Sequence, residues 1–170
     1  IEYIDQRVLE IRRKYTPEEI NWVNLDVNDM VFIEFEEYSE NELNNKMDEM
    51  IKFIQMLDER IFCKCDNTEE GFQKRIALRR GTQALKNREH TGGKLAVDII
   101  EDACVAPERV FDFINDLNLL LNKYDAEGFL AGHIGIGNIH TYPSFDLNKK
   151  SDRNKMVALS NEFVQIIKKY

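Results

Sequence analysis

The chain has 170 residues, of which 43% are hydrophobic and 32% are charged, and its formal net charge is -8. This length predicts one domain, and the 10 Phe and 6 Tyr residues exclude a disordered or low-complexity chain. The acidic balance argues against nucleic acid as a partner, because binding to phosphates requires concentrated Lys and Arg.

Signals for membrane insertion and secretion are missing from the sequence. No stretch approaches the roughly 18 consecutive apolar residues that a membrane span requires, and the first residues are charged rather than basic and then apolar. The three cysteines, Cys63, Cys65 and Cys104, are odd in number and sparse, so we expect inert thiols on strands in a reducing compartment, the cytoplasm. The chain begins without Met and ends within an apolar-periodic run, which predicts a piece of a longer protein.

The first third of the chain predicts a helix, a strand and a second helix. Residues 1–27 predict an N-terminal helix and a connector, with the helix carrying Ile4, Val8 and Ile11. The β-branched and aromatic run 31–35 predicts a strand whose inward residues are Val31, Ile33 and Phe35. Ser39 and Glu42 form a capping box, which predicts an amphipathic helix that reaches Leu57 and packs on a sheet.

The middle of the chain predicts two further strands and two further helices. A short strand is predicted over 61–65 and a helix over 69–89. A glycine-containing loop over 90–94 precedes an apolar strand within 95–105, which an acidic pair interrupts. A proline at the first helical position then opens a helix over 107–124.

The last third predicts strands followed by a helix. Residues 129–147 predict two strand pieces around three glycines, and Ser151 begins the last helix. The sequence has no Gly-x-Gly-x-x-Gly fingerprint of a dinucleotide fold. We therefore predict an α+β fold of the split β-α-β type, in which helices cover a largely antiparallel sheet.

The most informative stretch is 131–140, Ala-Gly-His-Ile-Gly-Ile-Gly-Asn-Ile-His. Because His133 and His140 are an odd number of residues apart, they share a face only if the backbone bends between them, which the glycines allow. Two neutral imidazoles beside a carboxylate would bind Zn²⁺, Mn²⁺ or Fe²⁺, and Asn138 could bond a substrate oxygen. The alternative is that both histidines are ordinary strand residues between turns.

The helix predicted over 69–89 has an apolar stripe that becomes basic and polar. The stripe begins with Phe72 and Ile76, and the positions that continue it are Arg79, Arg80 and Gln83. A guanidinium on such a face can hold a substrate carboxylate through two parallel hydrogen bonds. Arg79 is therefore the candidate substrate residue, ahead of Arg80 and Arg75, and the alternative is a solvated basic helix end.

The stretch 132–140 resembles the Gly-His-x-Gly-Asp-Gly-Asn-x-His signature in the C-terminal domain of FAD-linked oxidases. This group includes glycolate oxidase, D-lactate dehydrogenase and D-2-hydroxyglutarate dehydrogenase. The acidic pair Glu101-Asp102, the run Pro107-Glu-Arg-Val110 and the opening Ile1-Glu-Tyr-Ile-Asp5 are also similar to this family. The resemblance implies that residues 1–170 are the family's cap domain, made of ferredoxin-like units around an antiparallel sheet, with the FAD-binding domain and a C-terminal tail outside the chain.

The resemblance also assigns candidate site residues. It implies that His133 and His140 are paired metal ligands, with a third ligand, a Glu, beyond the end of the chain, and it supports a carboxylate-binding arginine at Arg79. The family usually has Asp where this chain has Ile136, which implies a changed substrate, weaker metal binding or lost function.

The acidic pair receives no catalytic role in this interpretation. The spacing from Asp102 to Pro107 is one residue longer than is usual in the family. We expect Glu101 and Asp102 to be solvated or salt-bridged carboxylates at a strand end.

The function implied is that of a substrate-binding cap domain in an FAD-dependent enzyme that oxidises a small D-2-hydroxy acid, of the glycolate or D-lactate type, to the 2-oxo acid. FAD would accept the hydride, a divalent metal such as Zn²⁺ would polarise the substrate, and a nearby histidine would take the proton. The partners implied are the substrate, the FAD-binding domain and an electron-transfer partner, and the chain alone is expected to be inactive.

Two alternatives remain open. An enzyme similar to alkylglycerone-phosphate synthase would have the same fold but would need a basic phosphate pocket. A non-catalytic subunit or assembly module would have kept the fold and lost the metal, and Ile136 is the residue that favours this alternative.

Overall fold

The computed structural model describes residues 1–85 and 93–170, without the side chains of 81–84. Parts of the predicted loop over 90–94 and of the predicted helix over 69–89 therefore lie outside the described residues, as does the side chain of Gln83. The helices are α1 (Gln6–Tyr15), α2 (Pro17–Ile20), α3 (Glu40–Leu57), α4 (Glu69–Leu85), α5 (Val110–Lys123) and α6 (Lys150–Ile167). The strands are β1 (Glu2–Ile4), β2 (Met30–Phe32), β3 (Leu95–Ala96), β4 (Ala103–Cys104), β5 (Leu130–Gly132), β6 (Asn138–Thr141) and β7 (Ser144–Phe145).

The described strands form one five-stranded sheet and one separate pair. The large sheet has the order β2-β1-β5-β6-β4, and every neighbouring pair in it is antiparallel. Strands β3 and β7 form a second, two-stranded antiparallel sheet. The structure thus confirms the predicted α+β fold with an antiparallel sheet. In the described part of the chain, no helix is long and apolar enough to cross a membrane.

Helices cover both faces of the large sheet and form two cores. Leu130 and Ile139 lie on one face, in a core with buried side chains of α5 and α6. Ile4 lies on the other face, in a core with side chains of α1 and α4 that include Leu78. This division follows from the alternation of side chains along each strand. The second face, which carries α4, is the one that holds the site described below.

The N-terminal segment differs from its prediction. Ile4 is the last residue of β1 rather than part of a helix, and α1 begins at Gln6. Asp5 is the N-cap, and its Oδ1 accepts a hydrogen bond from the Val8 N–H at 2.9 Å. The helical spacing of Ile4 misled the prediction, because this residue faces the same core as α1 although it belongs to a strand.

Two predicted strands are also corrected. The strand predicted over 31–35 is Met30–Phe32, and Val31, which was predicted to face inward, is 51% exposed. Because side chains alternate, Met30 and Phe32 contact the core instead. Residues 61–65 form neither strand nor helix, so Cys63 and Cys65 are not strand thiols, whereas Cys104 lies in β4. All three cysteines are free.

Helix α3 has the predicted start but not the predicted packing. The Ser39 Oγ accepts a hydrogen bond from the Glu42 N–H at 3.3 Å, which confirms Ser39 as the N-cap. The Glu42 carboxylate accepts a hydrogen bond of 2.8 Å from the Ser39 hydroxyl, rather than from the Ser39 backbone N–H as in a complete capping box. No side chain of α3 is fully buried, and Phe53 and Met56 are exposed. The expectation that α3 packs on the sheet is therefore wrong, because the preceding strand ends at Phe32 and the chain leaves the sheet there.

The segment 95–105 forms two strands in different sheets. Leu95–Ala96 pairs with β7, whereas Ala103–Cys104 pairs with β6. Between them Asp102 adopts a left-handed backbone with φ 58°. The predicted helix after this segment is confirmed as a 3₁₀ turn at Pro107–Arg109 followed by α5, and the last helix begins at Lys150, one residue before the predicted start.

The Asp5 carboxyl gives a test of this packing through the pH dependence of stability. Its oxygens accept hydrogen bonds from the N–H groups of Val8 and Leu130, yet burial outweighs these bonds and raises the pKa from 3.8 to about 6. A raised pKa in the folded state means that the neutral carboxyl stabilises the fold at low pH and that this contribution is lost as the pH rises. As the pH rises from about 4 to about 6, we expect the free energy of unfolding of wild type to fall by about 2–3 kcal/mol relative to that of Asp5→Asn.

Urea unfolding of both proteins across this pH range measures the difference. The comparison removes the contributions of the other carboxylates, because both proteins share them. A difference in unfolding free energy that stays constant from about pH 4 to pH 6 would contradict the assignment of the raised pKa to Asp5.

Candidate functional site

The site is built on the hairpin that joins β5 to β6. A 3₁₀ turn at Ile134–Ile136 and a left-handed residue, Gly137 with φ 77°, reverse the chain. A Cβ at Gly137 would lie 1.8 Å from the Val105 carbonyl oxygen, so only glycine fits this position. The glycine-rich stretch is thus a reversal between two strands, rather than the bend within one strand that the sequence suggested.

The hairpin register brings the two histidines together. Ala131 lies opposite His140, and directly opposite residues of an antiparallel pair point to the same face. His133 follows Ala131 by two residues and so returns to that face. The centroids of the two imidazole rings are 5.3 Å apart, and the ring planes meet at 87°.

Asn138 lies on the same face, two residues before His140. Its side-chain Oδ1 is buried and has no hydrogen-bond partner among the described residues. A buried amide oxygen without a partner is costly, because it has lost its bonds to water. This oxygen is therefore an unsatisfied acceptor, and because it is buried, a ligand meets it only if the side chains around it move.

Each histidine has a carboxylate beside its Nδ1 atom. The Glu2 Oε2, on β1, is 2.6 Å from the Nδ1 of His133 and is hydrogen-bonded to it. The Asp102 Oδ1, just before β4, is 2.9 Å from the Nδ1 of His140. The second contact has the distance of an ion pair but not the direction of a hydrogen bond. This buried nitrogen therefore has no hydrogen-bond partner within the described part of the chain.

The acidic pair before β4 also contributes to the site. One potential ligand atom from each of Glu101, Asp102 and His140 lies within 4.8 Å of the other two, so these groups could hold a metal ion. Glu101 accepts a hydrogen bond of 2.8 Å from the hydroxyl of Tyr142. The sequence predicted solvated or salt-bridged carboxylates without a catalytic role at Glu101 and Asp102, and it did not predict a role for Glu2. Only the similarity of the opening five residues to the family pointed toward Glu2.

Arg79 reaches the histidine pair from α4. The buried Arg12 of α1 donates hydrogen bonds of 3.0 and 2.8 Å to the carbonyls of Ala77 and Leu78, which fixes α4 immediately before Arg79. The Arg79 Nη2 lies 3.2 Å from the Glu2 Oε1 and 3.5 Å from the Nδ1 of His133. The structure thus brings Arg79 to the candidate metal ligands.

The other two arginines of α4 are placed elsewhere. The side chain of Arg75 donates a hydrogen bond of 3.1 Å to the carbonyl of Asp66 and lies 3.7 Å from the carboxylate of that residue. Arg80 is exposed. Of the three arginines that the sequence suggested, the structure places Arg79, the preferred candidate, beside the histidines.

Ile136, where the family usually has Asp, lies in the 3₁₀ turn. Its side chain is 66% exposed, and its carbonyl accepts a weak hydrogen bond from the Cys104 thiol at 3.5 Å. The carboxylates that contact the histidines come instead from β1 and from the segment before β4. Both carboxylates are therefore present despite the departure at position 136.

Comparisons with known proteins match the chain to one family. The family model described as FAD linked oxidases, C-terminal domain, matches residues 1–170. D-2-hydroxyglutarate dehydrogenase of Haemophilus influenzae is 29% identical over 79 residues, covering 46% of this chain and 8% of that protein. The enzyme of the same name from Escherichia coli is 26% identical over 100 residues, covering 59% of this chain and 10% of that protein.

An archaeal relative covers more of the chain. D-lactate dehydrogenase of Archaeoglobus fulgidus is 27% identical over 145 residues, which make up 84% of this chain and 29% of that protein. The chain therefore spans less than a third of the length of each of these relatives. Since the family model matches every residue, the chain belongs to the C-terminal domain family of FAD-linked oxidases.

Proposed function

We propose that the chain is the substrate-binding domain of a larger flavoprotein that oxidises a small D-2-hydroxy acid, of the glycolate or D-lactate type, to the 2-oxo acid. The observation that carries the proposal is the convergence of His133, His140, Asn138 and Arg79 on one sheet face. The names of the relatives, dehydrogenases of D-2-hydroxyglutarate and D-lactate, support the 2-hydroxy acid class.

The side chains at the site fit a divalent metal ion. His133 and His140 present two imidazoles on one face, with ring centroids 5.3 Å apart. Imidazole and carboxylate groups together suit Zn²⁺, Mn²⁺ or Fe²⁺. We assign His133 and His140 as the residues that would hold the ion, which when bound supplies positive charge next to the hydroxyl and carboxylate of the substrate.

Arg79 and Asn138 are assigned to the substrate. The side chain of Arg79 is 43% exposed, and its guanidinium, beside the histidines, can donate hydrogen bonds to the substrate carboxylate. The unpartnered Oδ1 of Asn138 can accept a hydrogen bond from the substrate hydroxyl. In an FAD-linked enzyme the flavin accepts the hydride, so the role of this chain is to hold the substrate in a fixed orientation.

The charges around the histidines argue against a phosphate-bearing substrate. The described charged side chains placed at the histidine pair are Glu2, Glu101, Asp102 and Arg79. Three carboxylates and one guanidinium do not form the basic pocket that a phosphate dianion requires. A 2-hydroxy acid, with one negative charge beside a divalent metal, fits this balance better.

The flavoprotein that contains this chain tests the function. Purified with FAD, it is expected to reduce an artificial electron acceptor with D-2-hydroxy acids and not with their L-enantiomers. A protein that holds FAD but oxidises no 2-hydroxy acid would contradict the proposal and favour the non-catalytic module. The chain without the FAD-binding domain is expected to show no turnover.

Arg79→Lys is expected to raise the KM for the hydroxy acid by about tenfold, because one ammonium replaces a planar group with two parallel donors. Steady-state kinetics of the flavoprotein measures this change, and Arg80→Lys on the adjacent exposed position is the matched control. If Arg79→Lys left the KM and the thermal stability unchanged, Arg79 would not bind the substrate. A loss of stability with an unchanged KM would limit its role to the ion pair with Glu2.

A further inference from the structure

Both candidate metal ligands meet a carboxylate through the same ring atom. The Nδ1 of His133 is 2.6 Å from Glu2, and the Nδ1 of His140 is 2.9 Å from Asp102. A ring nitrogen without a proton and a carboxylate oxygen are both acceptors, and two acceptors repel each other at these distances. The proton of each imidazole is therefore favoured on Nδ1, more strongly in His133, whose contact is a hydrogen bond, than in His140, whose contact is only an ion-pair distance.

We propose that Glu2 and Asp102 are positioning residues that hold His133 and His140 in the Nδ1–H tautomer, which leaves the lone pair of each Nε2 for a metal ion. A neutral imidazole carries one proton, so fixing it on Nδ1 exposes the other nitrogen as a ligand. Metal-binding histidines commonly donate their second N–H to a carboxylate, which orients the ring. This inference rests on the proposed function, because it assigns these carboxylates to the same metal site.

Glu2 is suited to this role because its two oxygens have different partners. The Oε2 accepts from His133 at 2.6 Å, whereas the Oε1 is 3.2 Å from the Nη2 of Arg79. The guanidinium compensates the negative charge and fixes the carboxylate, so that the imidazole meets an oriented acceptor. The direct contact of 3.5 Å between Arg79 and the Nδ1 of His133 is longer and does not compete for the ring nitrogen.

Asp102 forms the looser of the two pairs. Its side chain is 68% exposed, and its contact with His140 lacks hydrogen-bond direction. Asp102→Asn should leave the backbone intact, because Asn tolerates the left-handed φ of 58° as well as Asp does. We therefore expect a smaller effect from Asp102→Asn than from Glu2→Gln.

The tautomers are measured by NMR in the metal-free chain. A long-range ¹H–¹⁵N spectrum, recorded at a pH where imidazoles are neutral, distinguishes a protonated Nδ1 from a protonated Nε2. Free histidine prefers the proton on Nε2, so an Nδ1–H signal from His133 and His140 is diagnostic. Glu2→Gln should shift His133 toward the Nε2–H tautomer, whereas Glu10→Gln, the same substitution at an exposed position of α1, should change neither histidine.

A second variant separates positioning from folding. Arg79→Gln removes the other partner of Glu2 but leaves the carboxylate, so it should retain the Nδ1–H tautomer of His133. If Arg79→Gln and Glu2→Gln changed the tautomer equally, the effect would come from the lost ion pair and the proposal would be wrong. It would also be wrong if the wild-type chain showed Nε2–H at both histidines.

The affinity for Zn²⁺ of the flavoprotein that contains this chain, measured by titration calorimetry after removal of bound metal, completes the test. Glu2→Gln is expected to weaken binding by about 10- to 100-fold, which is the range for loss of a carboxylate that orients a metal ligand. Unchanged Zn²⁺ affinity in Glu2→Gln would overturn the positioning role while leaving the proposed function intact. If wild type bound no Zn²⁺ although it showed the Nδ1–H tautomers, the metal assignment of the proposed function would fail instead.

The Co²⁺-substituted chain distinguishes a positioning carboxylate from a ligand. If Asp102 only positions His140, the visible d–d spectrum of bound Co²⁺ should keep its shape in Asp102→Asn. A changed spectrum, indicating one fewer ligand, would show that Asp102 coordinates the metal directly and would overturn its positioning role.

Discussion

Gly137→Ala is expected to destabilise the protein by about 3–5 kcal/mol, the largest stability effect expected of the substitutions considered for this chain. The residue has φ 77°, a region that side chains with a Cβ rarely adopt. Its Cβ would lie 1.8 Å from the carbonyl oxygen of Val105, which is backbone and cannot rotate away. The Val105 N–H also donates a hydrogen bond of 3.0 Å to the Gly137 carbonyl. Relieving the clash would therefore push apart two segments and break the hydrogen bond that joins them.

Urea unfolding measures this loss, with Gly135→Ala as the control in the same turn. A Cβ at Gly135 would lie 3.0 Å from the Ile1 Cβ and 3.3 Å from its backbone nitrogen, so Ile1 needs to shift by only a few tenths of an ångström and the expected cost is about 1 kcal/mol, well below that at Gly137. Equal stabilities of the two variants would contradict the close approach of Gly137 to Val105. Because Gly137 precedes β6, its substitution should also weaken Zn²⁺ binding at His140.

His140→Ala and His133→Ala are each expected to weaken Zn²⁺ binding by about 100-fold or more, because each removes one of the two imidazole ligands assigned to the site. In the flavoprotein the same variants should lose most of kcat while FAD content stays at the wild-type level. Calorimetry with Zn²⁺ and the flavin absorbance of the purified protein measure the two quantities.

The control for the histidine variants is Cys104→Ser. Cys104 is an exposed thiol on β4, opposite Asn138, and is the nearest described soft ligand that could take Zn²⁺ on this face. We expect this variant to keep the wild-type affinity. If it lost affinity as the histidine variants do, the metal would bind through the thiol, and the two-histidine site would be wrong.

Local signals in the sequence predicted several elements well. The proline at position 107 and the apolar spacing after it predicted the turn and α5, and Ser39 with Glu42 predicted the start of α3. Local signals do not reveal which surface a helix packs against. The apolar stripe of α3 therefore indicated a helix correctly but not that its side chains would remain unburied.

The candidate site was predictable only in part, for a related reason. The odd spacing of His133 and His140 left open whether their side chains lie on one face of the sheet or on opposite faces. The pairing of Ala131 with His140 places both on one face. Glu2 contacts His133 from the opposite end of the chain, through the pairing of β1 with β5. Such a contact depends on strand order, which the residues themselves do not encode locally.

The most direct test of the two-histidine site is a crystal structure of the protein grown with Zn²⁺, with anomalous diffraction recorded at the zinc edge. We expect one strong anomalous peak at about 2.0–2.1 Å from a ring nitrogen of both His133 and His140, which is the usual length of a zinc–imidazole bond. The bonded nitrogen should be Nε2 in both rings, with Glu2 and Asp102 remaining at the Nδ1 atoms. A zinc peak elsewhere, with both imidazoles unbound, would contradict the site and the function proposed from it.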